Sequence, residues 1–129
     1  MLGNAFAQGD RLLNIGHRGS PKAAPENTLR SFQTACDVGA DGVELDVMLS
    51  EDGEVVVIHD STVDRTTDGH GPVRSLTLAQ LKELDAGMRF GPQFAGERIP
   101  TLVEVVSWAQ GGALLNIELK SGSLRDDGL

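Results

Sequence analysis

Apolar and polar positions along this chain switch between two spacings, and most switches fall at a turn or a helix cap. Leu12 to Gly16 is a short, largely apolar run that reads as a buried strand ending in His17-Arg18-Gly19. After the Pro25-Glu26-Asn27-Thr28 turn, Leu29, Phe32, Ala35 and Cys36 recur at helical spacing. Asn27 or Thr28 can cap that helix, and Gly39 stops it. Gly42 to Leu49 then alternates, with Val43, Leu45 and Val47 on one face and Gly42, Glu44 and Asp46 on the other, which predicts a second strand. Asp52-Gly53 is a hairpin signal and Val55 to His59 is the returning strand. A two-residue turn there sets His59 opposite Asp46, on the same face.

Loops prevail from Asp60 to about Gly96 and enclose one helix, opened by the Thr77–Gln80 capping box and striped by Leu78, Leu81 and Leu84. A second capping box, Thr101–Glu104, starts a helix that ends at Gly111-Gly112. Leu114 to Lys120 is the last predicted strand, with Leu115, Ile117 and Leu119 opposing Asn116, Glu118 and Lys120. Setting the hairpin-bearing segment aside leaves β-α-β-α-β, the order of a parallel sheet with crossover helices. A doubly wound open sheet and a (β/α)₈ barrel share that order. Each strand here buries one face and turns polar groups inward near its C-terminal end, where barrel enzymes keep their sites, so the barrel is favoured.

Composition narrows the partners more than the fold. With 129 residues and 40% hydrophobic content, the chain fits a single domain with a real core. No apolar run is long enough for an integral membrane segment. The net charge of −8 argues against nucleic acid or an anionic membrane as the main partner, and means that an anionic substrate would need a local basic group or a metal ion. No basic cluster precedes an apolar stretch in the first ten residues, so no signal peptide is expected. The lone cysteine, Cys36, sits on the apolar stripe as a core residue and suits a reducing, cytoplasmic setting.

Glu44 and Asp46 stand two apart on one strand, so their carboxylates point the same way, and Glu118 reaches the same rim from another strand. Three carboxylates facing one small volume repel each other unless a cation sits between them, and a hard divalent cation is the natural solution. Solvated carboxylates on a half-exposed sheet are the bland alternative. His17 and His59 flank this rim and could exchange protons near neutral pH, although a histidine at a strand end is more often packed or solvated. Arg18 and Lys120 bring positive charge to the same end, for phosphate or for pairing with Glu26, Glu44 or Glu118. His70 reads as a loop residue, and Asp37, Glu51 and Glu54 as solvated charges. The glycines near His17 lack dinucleotide-loop spacing, and the carboxylates from Asp41 to Asp52 lack EF-hand spacing.

A series of short motifs runs through the chain in order: His17-Arg18-Gly19, Pro25-Glu26-Asn27-Thr28, Glu44-Leu45-Asp46, His59-Asp60 with Asp64-Arg65-Thr66, Ile99-Pro100-Thr101-Leu102, and Asn116-Ile117-Glu118-Leu119-Lys120. That series resembles the glycerophosphodiester phosphodiesterases, over nearly the whole span from Ile15 to Lys120. The resemblance implies a (β/α)₈ barrel with a small insertion, residues 47–99, between the second strand and the second barrel helix, capping the barrel mouth. It implies hydrolysis of a glycerophosphodiester to glycerol 3-phosphate and an alcohol, with Mg²⁺ or Ca²⁺ as cofactor. By the same resemblance His17 and His59 are the acid–base pair, Glu44, Asp46 and Glu118 the metal ligands, and Arg18 and Lys120 the phosphate contacts.

Such a barrel takes about 250 residues, so residues 1–129 are expected to form only the N-terminal portion of the domain. Open sheet edges then invite self-association, and this chain alone is expected to be poorly stable, with little activity. The competing readings are a sphingomyelinase D-like or phosphoinositide-specific phospholipase, and a non-catalytic metal- or phosphate-binding remnant.

Overall fold

A computed structural model of the protein describes residues 12–119. Lys120 and the segment after it lie outside the described residues. Four strands form one sheet: β1 (Ile15–His17), β2 (Gly42–Leu49), β3 (Val55–Val57) and β4 (Leu114–Leu119). Helix α1 (Leu29–Asp37) joins β1 to β2, α2 (Leu78–Glu83) lies in the long segment after β3, and α3 (Leu102–Ala109) leads into β4.

β2 is the centre of the sheet. One of its edges pairs with β4 in parallel over Gly42–Val47. The other is shared: β1 runs parallel to Gly42–Glu44, and β3 runs antiparallel to Val47–Leu49. The ends of β1 and β3 therefore meet along β2 at Glu44 and Asp46, where the Arg18 amide donates to Glu44 O (2.8 Å) and the Ile58 amide to Asp46 O (2.9 Å). At about 3.3 Å of rise per residue, those two junctions lie roughly 7 Å apart. Everything of interest gathers there.

The strand alternation sorts side chains into two cores. Val43, Leu45 and Val47 of β2, with Val57 and Leu115, pack against Phe32 and Ala35 of α1 and Val105 of α3. The two helices also touch each other, through Phe32 and Trp108 (ring centroids 5.8 Å apart) and a Trp108 Nε1 bond to Gln33 Oε1 (2.8 Å). Met48 and Val56 face the other way, into a second cluster with Ile58, Val63, Val73, Leu81, Ala86 and Ile99. One hairpin thus serves as a wall for both cores.

Helix starts follow the local chemistry. Thr28 caps α1 by accepting from the Ser31 amide, and both expected capping boxes form, Thr77 with Gln80 and Thr101 with Glu104. Two expectations shift. β1 begins at Ile15, not Leu12, because β2 offers no partner before Gly42; Asn14 instead exchanges bonds with Asp41, and Leu12 is exposed. The hairpin turn holds three residues, with Ser50 bonded to Glu54 and Gly53 at φ +82°, the left-handed turn position that glycine takes without a Cβ clash. That extra residue moves the register by one. Ile58, not His59, stands opposite Asp46, and the chain leaves the ladder after Val57. Cys36 is half-buried and not part of the core that its place on the apolar stripe suggested, and partial burial raises its thiol pKa.

Candidate active site at the strand ends

β1, β2 and β4 run parallel, so their C-terminal ends share one rim. Asp46 and Glu118 are register partners across β2 and β4, and Glu44 lies two residues before Asp46 on the same face. One carboxylate oxygen from each of Glu44, Asp46 and Glu118 falls within 4.8 Å of the others. Asp46 is fully buried. Burial, then the charge of Asp46, pushes the Glu44 carboxyl above its ordinary pKa, and contact with Glu118 adds to the rise. The donor set, all carboxylate oxygens on adjacent strands, fits a hard divalent cation such as Mg²⁺ or Ca²⁺.

The loop after β1 is built to hold Arg18. The residue takes a left-handed backbone (φ 54°), with its amide shared between Glu44 O and Glu44 Oε1 (2.8 and 3.3 Å) and its carbonyl accepting from the Asn27 amide and the Ser31 hydroxyl. Gly19 follows at φ +90°, where an added Cβ would lie 2.4 Å from Ser31 Oγ, so only glycine fits between this loop and α1. The Arg18 side chain points at acidic partners: NH1 donates to Glu26 Oε2 (3.3 Å), and Nε lies 3.7 Å from Asp46 Oδ2. Nε itself is buried and makes no hydrogen bond. His17 is largely exposed, with Nε2 3.9 Å from Glu44 Oε1.

His59 arrives from the other side. Its Nδ1 lies 2.8 Å from Asp60 Oδ1, so the ionised carboxylate accepts an Nδ1–H and leaves Nε2 as the available nitrogen. Arg65 grips Asp60 by two bonds (Nε to Oδ2 2.8 Å, NH2 to Oδ1 3.0 Å) and Glu26 by two more, both 2.9 Å. The Arg65 guanidinium holds the Asp60 carboxyl well below the usual carboxylate range. Burial works to raise Glu26, but Arg65, with smaller help from Arg18 and His59, brings it below its ordinary value. A continuous chain of polar contacts thus runs from His59 through Asp60, Arg65, Glu26 and Arg18 to Asp46.

Asn27 closes the arrangement from beneath. It is buried at 3% exposure with φ 56°, and its Nδ2 donates to Asp46 Oδ2 at 3.0 Å. The residue pattern offers Asn27 as an alternative helix cap and Glu26 as a pairing partner for Arg18, a pair that forms, but gives no role to Asp60 or Arg65. Their motif positions were visible, but contacts spanning 19 and 39 residues leave no local periodicity to read. His70 lies on the loop as expected, 3.2 Å from Asp64.

A parallel-strand rim with convergent carboxylates, two histidines and a half-buried arginine defines a (β/α)-barrel type of site. The profile of the Glycerophosphoryl diester phosphodiesterase family matches residues 17–125, and the chain belongs to that family. It is 57% identical over 113 residues to a glycerophosphodiester phosphodiesterase of Caldanaerobacter subterraneus subsp. tengcongensis, covering 87% of this chain and 46% of the relative. Glycerophosphodiester phosphodiesterase 1 of Mus musculus is 49% identical over 100 residues, 76% of this chain and 30% of the relative.

Among solved structures, a glycerophosphodiester phosphodiesterase from Agrobacterium tumefaciens superposes with a TM-score of 0.81 at 43% identity, over 83% of this chain and 46% of that one. An Oleispira antarctica phosphodiesterase, solved with the product sn-glycerol-3-phosphate, also reaches 0.81, at 50% identity over 84% and 44%. The fold is therefore the first part of the family's (β/α)₈ barrel, and the chain spans less than half the length of these relatives.

Proposed function

We propose that this chain carries the metal- and proton-handling part of a glycerophosphodiester hydrolase, which cleaves its substrate to glycerol 3-phosphate and an alcohol. The observation that supports this most directly is the convergence of Glu44, Asp46 and Glu118 within 4.8 Å at the ends of parallel strands. These three would hold one Mg²⁺ or Ca²⁺. Such a cation, when bound, supplies neutralisation of phosphate charge and a lowered hydroxyl pKa.

The chain's own groups account for the rest. Arg18, held by its backbone and by Glu26, presents a guanidinium fork for phosphate oxygens, and Lys120 is assigned a second phosphate contact. His17 and His59 divide the proton transfers, one accepting the proton of the attacking hydroxyl and the other protonating the leaving alcohol. His59 is pre-oriented for this by Asp60, with Nε2 left available. Residues 47–99 are read as an insertion over the barrel mouth, supported by the second apolar cluster, which Met48 to Ile99 build among themselves. Among the described residues no helix is long and apolar enough to cross a membrane. The half-buried Cys36 supports a reducing, cytoplasmic setting, and the outer strand edges suit self-association.

The test is release of glycerol 3-phosphate from glycerophosphocholine with Mg²⁺ or Ca²⁺ and after chelation, with sphingomyelin and phosphatidylinositol as competing substrates. Metal-dependent turnover of glycerophosphocholine is expected. Cleavage only of sphingomyelin or phosphatidylinositol would move the chain to a sister activity. Cation binding without turnover of any of them would leave a metal-binding remnant.

A further inference from the structure

We propose that Arg65 is a positioning residue: it clamps Asp60 so that His59 keeps its proton on Nδ1, and it ties that pair to Arg18 through Glu26. The inference deepens the hydrolase reading and rests on it for the purpose of the clamp, though not for the clamp itself.

The geometry is specific to arginine. Its three nitrogens serve two carboxylates at once, with Nε and NH2 on Asp60 and NH1 and NH2 on Glu26, all at 2.8–3.0 Å. Paired forks of this kind fix the orientation of both partners as well as their charge. Asp60 shares Oδ1 between Arg65 NH2 and His59 Nδ1, so rotation of its carboxylate would break both bonds together. Glu26 likewise shares Oε2 between Arg65 NH2 and Arg18 NH1. One guanidinium therefore sets the aim of a proton-transfer residue and of a phosphate ligand, through an Arg65–Glu26 contact that spans 39 positions.

Without Arg65, Asp60 and Glu26 would face each other's charge across the same space with nothing between them. The charged groups that face His59 are Asp60 and Glu26, and Arg65 balances both. A surface ion pair of ordinary worth would not need four bonds to two half-buried acids. This arrangement is expected to act on orientation more than on stability.

The experiment is nitrogen NMR of the histidine rings in the full chain, in the wild type and in Arg65→Met, Arg65→Lys and Asp60→Ala. Chemical shifts of neutral imidazole report which nitrogen carries the proton. The wild type is expected to show His59 on the Nδ1–H tautomer, and Asp60→Ala to lose it. Arg65→Met is expected to lose most of it, and Arg65→Lys part of it, since one ammonium cannot hold both carboxylates. If Arg65→Met does not fold, the lysine variant carries the test.

In the active enzyme the same loss should lower kcat about 10-fold or more with a smaller change in KM. An Nδ1–H population as full as the wild type's in either arginine variant would overturn the clamp. So would a wild type that already favours Nε2–H. Absence of phosphodiester turnover in the wild type would instead sink the hydrolase reading and leave the tautomer result standing.

Discussion

Replacing Asn27 isolates what the site demands of the chain beneath it. The Asn27 amide supports the buried Asp46 carboxylate by a 3.0 Å bond, and its backbone stands at φ 56°. Asn27→Gly removes the side chain but allows that backbone. A buried hydrogen bond to a charged group is worth about 1.5–3 kcal/mol, so Asn27→Gly should cost about 2 kcal/mol. Asn27→Ala loses the same bond and must also hold an L-residue with a Cβ in the left-handed region, at about 1–2 kcal/mol. Part of that is offset because alanine restricts the unfolded chain more than glycine does. The alanine variant should therefore be the less stable by about 1 kcal/mol.

Asn27→Asp keeps the backbone preference but sets a carboxylate against Asp46, and should be the worst of the series at neutral pH. Urea unfolding of all four proteins, with unchanged m-values, reads these differences as shifts in midpoint. A glycine variant as stable as the wild type would refute the supporting bond. An alanine variant at least as stable as the glycine variant would refute the backbone argument.

Glu44→Gln should have effects of opposite sign: it relieves the burial and repulsion that raise the Glu44 carboxyl, so the metal-free protein should melt higher, while calorimetric affinity for Mg²⁺ or Ca²⁺ falls. His17→Ala and His59→Ala should each lower kcat by about 10²-fold or more with metal binding kept, and near wild-type turnover in either would remove that histidine from the proton relay. Asp60 and Glu26 have folded-state pKa values below their ordinary 3.8 and 4.5, so their stabilising contribution is present above those values and lost as pH falls through the folded ones. Arg65→Met should accordingly be less stable than the wild type above about pH 4.5, with the gap closing below pH 3.8, as followed by melting across pH.

Local chemistry made most of the elements legible. The Thr28 cap and Gly39 bound α1, the two capping boxes open α2 and α3, and the alternation from Gly42 to Leu49 is β2 to the residue. That alternation also brought Glu44 and Asp46 to one face, and with β4 in register it brought Glu118 to them. What failed was whatever depended on a single residue's backbone or on distant partners. Gly53 could close a two- or a three-residue turn, and the choice decides which of Ile58 and His59 faces Asp46. The strand-like run at Leu12 had no partner to pair with, which no window on the run itself reveals. Asn27, Asp60 and Arg65 act through contacts between segments that are remote in sequence, and their residue types alone read as turn and surface charge.

The hairpin of β2 and β3 has alternate side chains committed to two different cores, and this bears on how the family's sequences can drift. Substitutions deep in the second cluster, at Val63, Val73 or Leu81, reach the acidic rim through the wall of Met48, Val56 and Ile58 and through the Arg65 bonds to Glu26. Glu44 and Asp46 lie further back on β2, on the same face as Met48 but toward the ends of β1 and β4. Loops carried by the second cluster away from His59, Asp60 and Arg65 can therefore be exchanged or lengthened with little effect on the acidic rim, provided those wall residues keep their size. The packing of the second cluster and the geometry of the acidic rim can in this way drift separately, except where the Arg65 bonds tie them together.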